Sequence, residues 1–405
     1  MPRFEPFRAL RFAPGSDLDA ELAPPYDVQS AADTDALAAR DPHNIVLIDV
    51  PRPSDGDDPY AVAAARLRDW IAEGVLVADT EPSFTIYRMR FTDPTGAARD
   101  LAGVLGALEV VDEGAGGVLP HERTTPKAST DRLDLTRATR ANLSPVWGLA
   151  LAHGLTEALR APGEPVGRVV VDGVEHLVER VTDPRRIAAI AEAVRVDDVL
   201  IADGHHRYGV ARIYRDEVRG GSGHGTGHTG GEPGASAAEL TLAYVGELVA
   251  DQLSIDAIHR LYTGIDHVAL RAALADSFSI EAAPAPAPAM LSKMVARGAL
   301  VLLAPDGSAE WLTPRPGVFD GVRALDGAWL EHALDGVPVA VSYQHGLDEV
   351  VAAVTGGAAQ AAVLIRPVSI EEIELTARQG VLMPPKSTFF TPKLLTGLVV
   401  RDLRG

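Results

Sequence analysis

The sequence predicts an α/β (α+β) protein built on a mixed sheet, and three observations carry that expectation. Strand-like and helix-like periodicities interleave along the chain. Several tight-turn signals join neighbouring strands as hairpins, which requires antiparallel pairs. Hydrophobic residues make up 46% of the 405, enough for a sizeable buried core.

Taken in order, the segment up to about Asp49 is broken by Pro24-Pro25 and Pro42 and is expected to wrap the core. Leu47-Ile48-Asp49-Val50 reads as a short strand. Tyr60 to Glu73 carries Val62, Ala65, Leu67, Trp70 and Ile71 at helical spacing, with Gly74 as the stop. Phe84–Met89 alternates as a half-buried strand does, and Leu101–Val111 reads as another. Asp172-Gly173 between two apolar runs predicts a hairpin, because the tight turn needs positive φ. Asp183-Pro184 opens a helix, with Asp as cap and Pro at the first helical position. Val199–Ala202 reads as a buried strand, 207–218 as a helix and 240–249 as a strand. Pro305-Asp306-Gly307 marks a further hairpin. Ser369 and Glu372 form a capping box for a helix ending near Gly380, and Leu398-Val399-Val400 reads as the last strand.

Residues 219–236 are almost all Gly, Ser, Thr and His and read as a flexible surface insertion. The Pro-Ala alternation over 284–288 reads as a stiff linker. It divides the chain into a main α/β domain, 1–282, and a smaller C-terminal α/β subdomain, 290–405, which returns the Lys386 loop to the site.

Composition excludes several classes. Acidic side chains outnumber basic ones 56 to 37, a net charge of -19, so no nucleic-acid or membrane partner is expected. There is no cysteine, which removes disulfides, thiolate catalysis, zinc ribbons and iron–sulfur clusters. The start has no apolar signal core and no run is long enough to span a bilayer, so a cytoplasmic location is expected. Nothing in the sequence sets the oligomeric state.

The most informative stretch is Asp203-Gly204-His205-His206-Arg207, where a strand ends and a helix begins. A helix start presents N–H groups and the positive end of its dipole, so it favours anions. Gly204 permits a sharp turn, Arg207 can grip a phosphate, and the histidines can donate to phosphate oxygens or transfer a proton. Asp203 can act as a base or hold Mg²⁺. In the competing structural reading, Asp203 caps the helix and Arg207 pairs with it. Four polar groups within five residues favour a site.

Two further polar clusters could join it. His121-Glu122-Arg123-Thr124-Thr125-Pro126-Lys127 is followed by Arg132, Arg137 and Arg140, whose spacing could place them near one helix face. Lys386-Ser387-Thr388 and Lys393 lie in a proline-stiffened loop that suits anion binding. The first can equally be a solvated surface loop and an exposed helix, and the second a proline-rich turn into the last strand. Ala23-Pro24-Pro25-Tyr26-Asp27 is a rigid turn, and His259-Arg260, after an expected strand, could reach a site.

Together, in their order, Ala23–Asp27, His121-Glu122 with Thr124, Ile201–Tyr208, His259-Arg260 and Met383–Thr388 resemble the family known as domain of unknown function 1015, found across bacteria and archaea. Pro385 departs from it, standing where glutamine is expected. The central motif also resembles the ParB, sulfiredoxin and free serine kinase superfamily, which implies that Gly204, His206 and Arg207 bind nucleotide phosphates. The expectation is a nucleotide-dependent phosphotransferase using ATP or ADP with Mg²⁺ on a small hydroxylated metabolite, such as free serine. Glu122, Asp203 and His205 would be its catalytic groups. His121, Lys386, Ser387 and Lys393 would join the phosphate contacts, and Asp203 would hold the metal. A phosphatase of a small phosphorylated metabolite and a non-catalytic nucleotide sensor are the alternatives.

Overall fold

The computed structural model describes residues 1–52, 56–93, 96–121, 129–221, 237–384 and 386–404. The chain divides into two compact units. The first comprises Met1–Leu253, Ala377–Gly380 and Pro392–Gly405, and the second Ser254–Thr376 and Val381–Thr391. The division at 253/254 falls ahead of the Pro-Ala run, which lies inside the second unit between a strand and a helix.

The first unit is organised on a nine-stranded sheet. Its strands in chain order are β1 (Phe4–Glu5), β2 (Phe84–Thr92), β3 (Ala98–Glu109), β4 (Val118–Leu119), β5 (Val146–Ala150), β6 (Glu164–Val171), β7 (Val174–Val181), β8 (Val199–Asp203) and β9 (Leu240–Glu247). They run β4-β8-β5-β9-β3-β2-β7-β6, with β1 paired to β3. The β4–β8 and β5–β9 pairs are parallel and the others antiparallel, so the sheet is mixed as expected.

Around this sheet lie α1 (Ala31–Arg40), α2 (Val46–Asp49), α3 (Pro59–Ala72), α4 (Ser129–Thr139), α5 (Leu155–Arg160), α6 (Pro184–Arg195) and α7 (His205–Gly221). Period-2 alternation puts Phe84, Ile86, Val104, Val199, Ile201, Ala243 and Val245 in one core, with Leu155 and Leu159 of α5 and Ile190 and Val194 of α6. On the ladder itself, Gly103 makes room for an aromatic ring. A Cβ there would fall 2.3 Å from Tyr244 Cζ. The Asp172-Gly173 hairpin forms with φ of 50° and 78°, and Asp183 caps α6 ahead of Pro184.

Leu47–Val50 is not a strand. Val46–Asp49 is a helical turn, α2. Asn44 sets its entry: the side-chain amide donates to the Ala20 and Leu22 carbonyls, and its oxygen accepts from Val46 N–H at 3.0 Å. A four-residue apolar run carries too little periodicity to separate these alternatives. The last strand also falls later than expected, at Arg401–Asp402, with Val400 making only an isolated bridge to Leu10.

The second unit has a six-stranded antiparallel sheet. Its strands are β10 (His259–Thr263), β11 (Phe278–Ala283), β12 (Leu300–Leu303), β13 (Ala309–Pro314), β14 (Ala340–Gln344) and β15 (Ala361–Leu364), in the order β11-β13-β12-β15-β10-β14. Helices α8 (His267–Ala275) and α10 (Asp326–Ala333) pack into the core of one face, and α9 (Met290–Arg297) and α11 (Leu347–Thr355) into that of the other. Covered on both faces, β12 and β15 are apolar at every position. Ser369 Oγ accepts from Glu372 N–H at 3.2 Å, but Glu372 turns to Arg323, so only half of the predicted capping box closes.

Candidate functional site

The turn from β8 to α7 combines a left-handed glycine with a dense set of polar contacts. Gly204 stands between them at φ +85°, a conformation that costs other residues strain. Its carbonyl accepts from Tyr208 N–H at 2.9 Å, beginning the helix. Tyr208 is buried, and its hydroxyl donates to the Glu109 carbonyl at 2.9 Å and accepts from Val111 N–H at 2.8 Å. The first turn of α7 is thereby pinned to the end of β3.

Asp203 gathers two cations from different parts of the chain. Its Oδ2 accepts from Arg207 Nη2 at 2.6 Å and its Oδ1 from Lys393 Nζ at 3.0 Å. Arg207 Nη1 donates to the Pro145 carbonyl, while its buried Nε has no partner among the described residues. The guanidinium folds back over Gly204, where a Cβ would meet Arg207 Cζ and Nε at 3.0 Å. Burial alone would raise the Asp203 pKa, but Lys393 and Arg207 outweigh it and hold the carboxyl well below the ordinary range. These three groups sum to one net positive charge, and the carboxylates of Asp27 and Asp49 also act on Arg207. Among the described residues no group of three or more His, Asp or Glu has the arrangement of a metal site.

His121 is fully buried, and its Nδ1–H donates to the Ile201 carbonyl at 2.6 Å. Its ring meets that of His205 edge-on, with centroids 4.8 Å apart. Burial pushes His121 down to about 4, against the opposing pull of the Ile201 carbonyl and Asp203. Burial, with His121 beside it, also takes His205 well below its ordinary value. Both rings are neutral at pH 7. His206 lies half-buried on the first turn of α7.

A second group of residues surrounds the other side of Arg207. The Arg132 guanidinium lies over the Tyr26 ring, 4.2 Å from its centroid, and donates through Nη1 to Asp49 O at 2.6 Å and Asp49 Oδ1 at 3.2 Å. Ser144 Oγ reaches Asp49 Oδ2 at 3.4 Å and Thr396 Oγ1 at 2.8 Å. Tyr26, Asp49, Arg132, Ser144 and Arg207 line a cavity of about 50 Å³. Sequence reasoning passed over Asp49 and Ser144. The available signal was a carboxylate closing the apolar run Val46-Leu47-Ile48, where burial would demand a cationic partner.

The structure thus brings Asp203, Gly204, Arg207 and Lys393 together, with His121 against His205 beside them. Glu122, Thr124 and Lys127 lie outside the described residues. Arg137 is engaged elsewhere, by Glu217 and Asp134. Lys386 and Ser387 belong to the second unit. There Lys386 takes φ of 59°, its carbonyl accepts from Arg260 Nη1 at 3.3 Å, and Ser387 Oγ donates to the Pro384 carbonyl at 2.7 Å. His259, in the same unit, follows the short strand Ser254–Asp256 and opens β10, and its Nδ1 accepts from Ile365 N–H at 3.1 Å.

The family model described as protein of unknown function (DUF1015) matches residues 4–328, a span that holds the Asp203 turn, His121 and Tyr26. The chain belongs to this family. No curated protein matches this DUF1015 chain. Among solved structures it is similar to a conserved hypothetical protein from Pyrococcus furiosus, at 12% identity over 71% of this chain and 94% of that one, with a TM-score of 0.39. A free serine kinase in complex with AMP aligns at 11% identity over 70% and 89%, with a TM-score of 0.37. SbnI with a C-terminal truncation, from Staphylococcus aureus, aligns at 14% identity over 73% and 87%, with a TM-score of 0.39. No helix among the described residues is long and apolar enough to cross a membrane.

Proposed function

We propose that this DUF1015 chain is a nucleotide-dependent phosphotransferase acting on a small hydroxylated metabolite, with its phosphate-handling centre at the β8–α7 turn. One observation carries the reading: Asp203 holds two cations, Arg207 and Lys393, so the turn keeps a net positive charge at the start of a long helix. Phosphoryl transfer asks a protein mainly for positioning and charge stabilisation, and a fixed pair of cations supplies both. Free serine as acceptor is the part of the reading drawn from the motif resemblance.

In the transfer, the acceptor hydroxyl gives its proton to a base as its oxygen bonds to the nucleotide's terminal phosphorus. The bond from that phosphorus to the leaving phosphate oxygen breaks, and the nucleotide departs one phosphate shorter. Asp203 is a poor choice of base, because a carboxyl held so far below the ordinary range has little proton affinity. Its role is to orient Arg207 and Lys393, which leaves Glu122 as the candidate base. His205, neutral and buried, is suited to donating a hydrogen bond rather than to carrying charge.

The test is calorimetric titration of AMP, ADP and pyrophosphate, with and without Mg²⁺, followed by turnover assays of ATP with amino-acid acceptors. Lys393→Met is expected to weaken pyrophosphate binding about tenfold or more while leaving the chain folded. Product formation without added nucleotide, from a phosphorylated substrate, would transfer the assignment to a phosphatase. Binding without turnover of any acceptor would leave a nucleotide sensor.

A further inference from the structure

Lys393 faces two ways. Its ammonium reaches Asp203, and the same residue lines a separate cavity of about 520 Å³ within the first unit. That volume lies in the range of about 300–1,000 Å³ usual for small-molecule sites. The cavity runs between the Pro24-Pro25 turn and α1 on one side and the β6–β7 hairpin on the other. Pro24, Pro25 and Pro392 stiffen its wall, and Leu37, Val174 and Leu395 supply apolar surface.

One buried polar group fixes an orientation in it. His176 lines the cavity and is only 2% exposed. The Tyr87 hydroxyl lies 2.7 Å from His176 Nδ1 and accepts from Leu395 N–H at 3.3 Å. The hydroxyl hydrogen has Nδ1 as its one acceptor among the described residues, so the hydroxyl donates to Nδ1 and the neutral ring carries its own proton on Nε2. Nε2 has no protein partner among the described residues. The cavity therefore offers an uncharged N–H donor on a rigid apolar wall and a cation on the side of Asp203.

We propose that this cavity takes the nucleoside end of the nucleotide, with His176 Nε2–H donating to a ring acceptor of the base and the phosphates directed to Lys393. The placement rests on the nucleotide reading of the Asp203 turn and deepens it. A neutral donor beside proline and aliphatic surface suits a planar, uncharged heterocycle, and the exposed carboxylates Asp19, Asp33 and Asp172 on the lining outnumber Arg40, which disfavours phosphate there. The cationic end suits phosphate for the converse reason.

The full-length chain is titrated with AMP, adenosine and pyrophosphate, as wild type and as Ala36→Trp and Val174→Trp. Both positions line the cavity, and neither side chain is fully buried, so an indole can occupy the space without disturbing the core. Melting temperatures confirm folding. Both variants are expected to weaken AMP by about tenfold or more and to abolish adenosine binding, with pyrophosphate affinity unchanged. If AMP affinity survives in both folded variants, the base lies elsewhere and this inference falls while the phosphate centre stands. If wild type binds neither AMP nor pyrophosphate, the nucleotide reading falls and takes the inference with it.

Discussion

Two helices among the described residues begin at or just after an Asp-Gly pair, and the difference between them separates the proposed phosphate centre from a structural staple. In the second unit, Asp326-Gly327 opens α10. Asp326 is 7% exposed and accepts from Arg366 Nε at 3.0 Å and from Arg366 N–H at 2.7 Å. One carboxylate meets one guanidinium, the charges cancel, and two chain segments are tied together. In the first unit, Asp203-Gly204 precedes α7, and its carboxylate meets two cations brought from the helix and from the C-terminal segment. The same local sequence thus yields a neutral pair in one place and a net positive centre in the other. Only the second leaves charge for a ligand to neutralise.

The largest expected effects come from removing each carboxylate charge. Asp326→Asn leaves a guanidinium without its counter-ion and is expected to cost about 3–5 kcal/mol in urea denaturation. Asp203→Asn strands two cations, though partial solvent access to Asp203 places the cost nearer about 3 kcal/mol. Pyrophosphate separates them. It should raise the melting temperature of Asp326→Asn only as much as that of wild type, and that of Asp203→Asn by more, by binding where the carboxylate charge was. An equal rise in both variants, or none in either, would dissolve the distinction.

The contrast also shows what the sequence could reveal. Asp203, Gly204 and Arg207 were legible because strand, acid, glycine and arginine fall within nine residues, so local geometry alone puts them in contact. The hairpins, the Asp183 cap and the mixed sheet were legible for the same reason. Lys393 was named as a phosphate contact, but its place against Asp203 depends on a separation of 190 residues that no periodicity encodes. Asp49 was hidden differently, since its apolar neighbours disguised a helical turn as a strand. The unit boundary lies ahead of the Pro-Ala run because the second unit's sheet takes in β10, and composition does not mark the pairing of β10 with β14 and β15.

Acid should expose a second difference between the units. Burial pushes His121 and His176 of the first unit, and His259 of the second, down to about 4. Between about pH 6.5 and that value the unfolded chain binds protons that the native state refuses, so stability falls as pH drops through the window. Each such histidine contributes a loss of about 2 kcal/mol by pH 5. Asp203 acts later. Its depressed pKa gives stability that is present above the unfolded carboxylate value and lost only as pH falls below about 4. Hydrogen exchange of amides in β8 and β10, followed from pH 7 to 5, should show the first unit losing protection sooner. Unchanged protection in both would mean that these rings are not held neutral.

The smallest effect is the most local, and it compares the two glycines directly. Gly204 sits at φ +85°, and a methyl group there would press on the Arg207 guanidinium at 3.0 Å. Gly204→Ala should therefore cost about 1–2 kcal/mol and weaken pyrophosphate binding, because the guanidinium can move only by giving up Asp203 or Pro145. Gly327 lies within α10 and outside the left-handed region, and its nearest obstacle is the tip of Arg260 at 3.0 Å. Alanine there gains about 0.5–1 kcal/mol of helix propensity, which offsets a small shift of that tip. A near-neutral Gly327→Ala beside a costly Gly204→Ala would locate the backbone constraint at the proposed phosphate centre. Equal costs would mean that crowding by an arginine, common to both positions, sets the requirement for glycine.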